Sequence, residues 1–162
     1  MKKLLATVAA CCILSVHAQE RIGPWVLAPV IEDDALMMYT ENDSKSLFGI
    51  VCSSLERCVW FIKNDVRCKH ETSYPALINS NHSAYSAVLT CNVSGPHYRY
   101  TFDDFEKISS AAASGGTIGI VTSMVDGTFN VNRFNIGRYE TAMESFLQKL
   151  SKRRPRTRDS VL

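Results

Sequence analysis

Cysteine usage constrains this chain more than any other feature. Four of its six cysteines, Cys52, Cys58, Cys68 and Cys91, fall in one stretch of the 162 residues. The other two, Cys11 and Cys12, sit inside an apolar N-terminal run. That run opens with Met1-Lys2-Lys3, continues uncharged over residues 4–16 and ends in Val16-His17-Ala18. A short positive start, an apolar centre too short for a bilayer and a small-x-small end form an export signal. Residues 1–18 are therefore expected to be removed, leaving a periplasmic or secreted chain with an even number of cysteines.

An even count in an exported chain reads as disulfides. Three pairings are possible. The favoured one joins Cys52 to Cys58 across a short hairpin and Cys68, at a strand end, to Cys91 within another strand. The rival use is a metal site with His70 beside the thiolates. It lacks the C-x2-C pair usual in structural zinc sites, so neither metal nor cofactor is expected. A second reading of the N-terminus also stands. Val8-Ala9-Ala10-Cys11 resembles a bacterial lipobox, which would leave the protein lipid-anchored through Cys11.

Charge is distributed unevenly along the chain. The full sequence carries +2, but loss of Lys2 and Lys3 brings the remainder to zero. Residues 19–148 hold ten basic and fifteen acidic side chains; residues 149–162 hold six basic and one acidic. The basic end, with Lys152, Arg153, Arg154, Arg156 and Arg158, is expected to be a disordered tail from residue 151. Its use, if any, is contact with an anionic membrane surface or the acidic body. Without interleaved aromatics in an exported protein, nucleic acid is not an expected partner. A hydrophobic content of 46% excludes a disordered chain, and Gly 8 with Pro 5 excludes a collagen-like one. Residues 19–150 amount to a single domain. No second apolar run is long enough to span a bilayer.

Residue patterning predicts a mainly β or α+β fold, an antiparallel β-sandwich or barrel with two helices late in the chain. Strands are expected over 23–31, 35–40, 47–52, 58–63 and 66–68. More follow at 84–93, 97–102, 117–125 and 128–135. The prolines of the first mark it as an edge, and Asp126-Gly127 marks the last two as a hairpin. Residues 69–83 read as a loop, with Ala76-Leu77-Ile78 as a short strand at most. Phe102, Phe105, Ile108 and Ala111 recur at helical spacing, predicting a helix over 103–114 with Thr101 and Asp104 as a capping box. Gly115-Gly116 ends it. Tyr139, Ala142, Met143, Phe146, Leu147 and Leu150 predict an amphipathic helix over 138–151.

Chemical motifs are scarce. There is no G-x-S-x-G, H-E-x-x-H or Walker sequence. Gly115-Gly116-Thr117-Ile118-Gly119 runs from helix to strand, the reverse of a phosphate loop. Asp103 and Asp104 could form an acid–base pair, but a helix N-terminus explains them more simply. Asn42, Asn81 and Asn92 head glycosylation sequons, expected to be unused in a bacterial protein. Tyr98 and Tyr100 share one face of their strand. Core is the favoured use of that face; if it is exposed, it is a platform for a sugar or peptide, and with the loop residues His70 and His82 it is the candidate binding surface.

These pieces resemble the invasion-associated locus B family of small exported bacterial proteins. The resemblance rests on the signal, Trp25, and Cys52 with Cys58-Val59-Trp60-Phe61. It extends to Phe105, Ala111-Ala112-Ala113, Gly115-Gly116, Ile118-Gly119-Ile120, Phe129-Asn130-Val131, Phe134-Asn135-Ile136-Gly137 and Ala142. Residues 69–83 depart from the pattern. The resemblance implies a β-rich envelope protein and carries over no site residue. The expected function is a non-enzymatic binding protein of a Gram-negative envelope, such as an inhibitor, immunity protein or accessory factor, with a protein partner. The alternatives are a small enzyme acting on glycan or peptide through Asp103, Asp104 or a loop histidine, and a surface factor contacting host cells.

Overall fold

The computed structural model describes residues 19–30, 35–54, 57–94, 97–124 and 126–153. The expected signal with Cys11, and Arg154, Arg156 and Arg158 of the tail, lie outside them. The described residues form ten strands and two helices. The strands are β1 (Glu20–Ile22), β2 (Trp25–Val30), β3 (Ala35–Glu41), β4 (Leu47–Ser54), β5 (Arg57–Lys63), β6 (Ser73–Asn79), β7 (Ala84–Ser94), β8 (His97–Phe102), β9 (Thr117–Ser123) and β10 (Phe129–Asn135). The helices are α1 (Phe105–Ala113) and α2 (Tyr139–Lys152).

All ten strands belong to one sheet in the order β1-β2-β3-β4-β5-β8-β7-β6-β9-β10, and every pairing is antiparallel. The class is the expected β-rich fold with late helices. The sheet does not stay open. Thr40 Oγ1 of β3 donates to the Asn135 carbonyl of β10 at 3.0 Å, and Asn64, just past β5, reaches Asn130 at 3.4 Å. The last strand therefore lies against the neighbouring ends of β3, β4 and β5. The sheet curls around one core while its terminal strands, β1 and β10, stay unpaired with each other.

Phe48 of β4 anchors that core. Its ring stacks on Trp60 at 5.1 Å, meets Phe134 at 5.6 Å and Phe102 edge-on at 6.1 Å. It thus joins the first half of the sheet to the last. Helix α2 fills the open side with Tyr139, Ala142, Phe146 and Leu150, all buried. Tyr139 sits between Trp25 at 5.8 Å and Trp60 at 6.2 Å. Helix α1 is fastened by the Trp60 indole, which donates to Ser109 Oγ at 2.9 Å.

Several expectations need correction, each for a local reason. The strand expected at 23–31 is preceded by β1, since Gly23 at φ +60° turns the chain and Ile22 pairs with Trp25. So β2 is not the edge over Trp25–Leu27, although Pro29 lies beyond the reach of β1. Residues 66–68 form no strand. Asn64 Oδ1 takes the Val66 N–H at 3.1 Å, so the side chain replaces a ladder partner. Residues 69–83 are not a loop throughout, because β6 is a full strand between β7 and β9. Its Pro75 is harmless. Cys91 N–H bonds the Thr72 carbonyl and Ser80 N–H the Ser83 carbonyl, so even-numbered residues of β6 bond β7. Pro75 therefore faces β9, where pairing only begins at Ala76. Helix α1 starts later than expected and is capped by Asp104 alone, whose carboxylate takes the Lys107 N–H at 3.0 Å.

Candidate functional site

Two disulfides close the structure, Cys52–Cys58 and Cys68–Cys91, as the strand positions favour. They mark an oxidising compartment, extracellular or periplasmic. No described helix is long and apolar enough to cross a membrane. No group of metal-binding side chains is present among the described residues.

The face shared by Tyr98 and Tyr100 is a core face, the reading favoured for it, and no aromatic platform forms there. Both point inward. Tyr100 is 1% exposed and packs edge-on against Tyr74 at 5.7 Å. Burial pushes its phenol up to about 12. Tyr98 is half-buried. His70 is exposed near the Tyr98 end of β7, where its Nδ1 accepts the Val93 N–H at 3.2 Å. His82 is exposed in the turn at the other end of β7. Eleven residues of strand separate the two ends, about 35 Å. The four residues therefore do not share a surface.

Both candidate carboxylates are engaged locally. Asp103 Oδ1 accepts from Thr90 Oγ1 at 3.1 Å. Asp104 caps α1 and accepts from Lys107 Nζ at 2.9 Å. Those two bonds from Lys107 hold its carboxyl below the usual range. Lys152 closes α2 and Arg153 follows as its C-cap.

The structure instead exposes an apolar area on the outer face of β10, β9, β6 and β7. Val131 stands directly opposite Val121, Val121 opposite Leu77, and Pro75 opposite Val88. Exposure is 68% for Phe129, 48% for Val131 and Leu77, and 43% for Val88. Single exposed apolar residues are ordinary; a connected row across four strands is less so, and it is the candidate binding surface of this structure. Part of it was visible in the sequence, since alternation placed Phe129, Val131 and Arg133 together. What was missing was β6, which carries Pro75 and Leu77 into the row.

This face ends at an unpaired edge. Met124 N–H bonds the Thr128 carbonyl at 2.9 Å and Ile136 N–H bonds the Gly116 carbonyl at 2.8 Å. Hydrogen bonds alternate along an antiparallel ladder, so the even-numbered residues of β10 bond β9. The main-chain groups of Phe129, Val131, Arg133 and Asn135 point away. Asn135 meets Thr40; the other three have no partner among the described residues. Two pockets flank this edge. One, of about 350 Å³, is lined by Val66, Arg67, Met124 and Phe129 among others. The other, of about 360 Å³, lies between Glu41–Ser44 and Val131, Arg133 and Asn135.

Among solved structures, that of invasion associated protein B from Bartonella henselae is similar, with a TM-score of 0.61 and 11% identity. The match covers 84% of this chain and 99% of that one. At this identity the likeness shows the fold alone, which agrees with the resemblance drawn from the residues. No protein family matches the chain by sequence, and no curated protein does.

Proposed function

We propose that this chain is an exported, non-enzymatic binding protein of a bacterial cell envelope, and that its partner is another protein docking on the outer face of β10, β9, β6 and β7. The observation that carries this reading is the connected row of Phe129, Val131, Val121, Leu77 and Val88. Monomeric proteins seldom leave such a row open without a use. The export signal and the two disulfides support the location. The fold shared with a protein described as invasion associated supports an envelope or surface factor, and contact with host cells is the finer version of that role.

Cross-linking in intact cells tests the reading, with the wild type compared against Leu77→Asp. A charge in the middle of the row is expected to abolish a specific cross-linked product while the protein remains folded and exported. Identical products from both proteins would remove the face from consideration. The basic end, from Lys152 onward, supplies a second contact in this proposal, with anionic lipid headgroups. Its sign is testable with anionic against neutral vesicles, because such binding weakens as salt rises.

A further inference from the structure

The two edges of the sheet are managed differently, and that difference points to how a partner is held. The β1 edge has three residues and is braced by α2, with Glu20 bound to Ser145 at 3.0 Å and to Lys149 at 2.7 Å. Short, covered edges are how soluble proteins avoid unwanted pairing. The β10 edge has seven residues, carries neither proline nor lysine, and bears two of the most exposed apolar side chains, Phe129 and Val131. Its three outward N–H and three outward C=O groups, on Phe129, Val131 and Arg133, are unpaired among the described residues.

We infer, resting on the binding role proposed above, that the β10 edge takes an extended segment of the partner protein as an added eleventh strand. Strand addition draws affinity from main-chain hydrogen bonds and specificity from pockets for alternate side chains. Both are present. Residues of the incoming strand opposite Phe129 and Val131 lie on the outer face, beside those side chains, and should be apolar. The pocket beside Phe129 offers Val66 and Met124 as further apolar wall. The residue opposite Arg133 enters the pocket edged by Glu41 and Asp43. Lys45 pairs with Glu41 at 2.8 Å. Asp43 and Arg133 form no ion pair among the described residues. A carboxylate and a guanidinium together suit a side chain that both donates and accepts, an amide. Continuing the antiparallel sheet, the predicted segment reads, from its N-terminal end, Asn or Gln opposite Arg133, any, apolar opposite Val131, any, then apolar opposite Phe129. The two flanking walls, residues 41–44 and 66–67, also favour a single strand over a second folded copy, whose own sheet would have to pass them.

A random linear nonapeptide display library selected against the oxidised chain tests this, followed by amide hydrogen exchange with the best peptide. The expected result is the stated alternation in the selected sequences and slowed exchange at the amides of Phe129, Val131 and Arg133. Val131→Pro removes one outward donor without touching the β9 ladder. It should weaken the peptide about fivefold to tenfold more than Val131→Ala, which keeps the donor. Absence of any selected peptide, protection at other amides only, or equal loss in the two variants overturns the inference. So does a dimer in sedimentation whose β10 amides are protected without peptide, since a second copy would then hold the edge. Should Val131→Pro misfold, the exchange pattern of the wild type still decides. Loss of the cellular cross-link in Leu77→Asp without peptide protection at β10 would leave the proposed function standing and remove only this inference.

Discussion

Two tryptophans occupy the same core and differ by one hydrogen bond. Trp60 and Trp25 are both fully buried, and both contact Phe48 and Tyr139. The Trp60 indole donates to Ser109, whereas Nε1 of Trp25 is buried with no partner among the described residues. An unsatisfied buried donor costs about 1–3 kcal/mol, a cost that phenylalanine does not carry. Both Trp→Phe substitutions remove similar volume, so packing losses nearly cancel in the comparison. Trp60→Phe is therefore expected to destabilise more than Trp25→Phe, by about 1–3 kcal/mol in urea denaturation. Equal losses would mean that the Trp25 N–H is satisfied after all.

Strands and helices were legible wherever one local signal dominated. The hairpin of β9 and β10 follows from Asp126-Gly127 and the alternation after it, and α2 from its apolar stripe. The site was legible only in part. β6 was hidden because proline argues against an interior strand, and only the register shows that its missing donor faces a place where β9 is not paired. β1 was hidden because three residues bearing Glu20 and Arg21 carry no apolar pattern. Without β6 the exposed row cannot be assembled, so the chain's outer surface stayed unreadable while its core did not. Alternation also left two uses open for the face of Tyr98 and Tyr100, since it pairs residues on a face without saying which face is inside, and burial selects the core. The disulfides can be ranked from these elements. Cys52–Cys58 closes a loop with a separation of 6, inside a hairpin already held by strand pairing. Cys68–Cys91 has a separation of 23 and ties an irregular segment to β7. Loop-closure entropy grows with length, so Cys68→Ser/Cys91→Ser should cost about 1 kcal/mol more than Cys52→Ser/Cys58→Ser. Paired denaturation curves of the two double variants check the order.

Among the described residues one sheet begins at residue 20 and ends at residue 135, with α2 packed in its opening, an arrangement expected to unfold as one unit. Three tyrosines test this from separate places. Tyr85 on β7 donates to the Lys107 carbonyl of α1 at 2.5 Å. Tyr100 lies in β8 and Tyr139 at the start of α2. Burial pushes each phenol up to about 12. In the unfolded chain a tyrosine ionises near pH 10. Below that value both states are protonated and these groups do not affect the balance. Above about pH 10 the unfolded state loses protons that the folded state keeps, so stability falls as pH rises toward 12. Tyrosinate absorbance followed beside circular dichroism should therefore show all three ionising in the step that unfolds the sheet. Difference curves against Tyr85→Phe, Tyr100→Phe and Tyr139→Phe assign each contribution. If Tyr139 ionised at lower pH than the loss of sheet signal, α2 would be leaving an intact sheet. The opening between β1 and β10 would then be a separate unit of stability rather than part of one core.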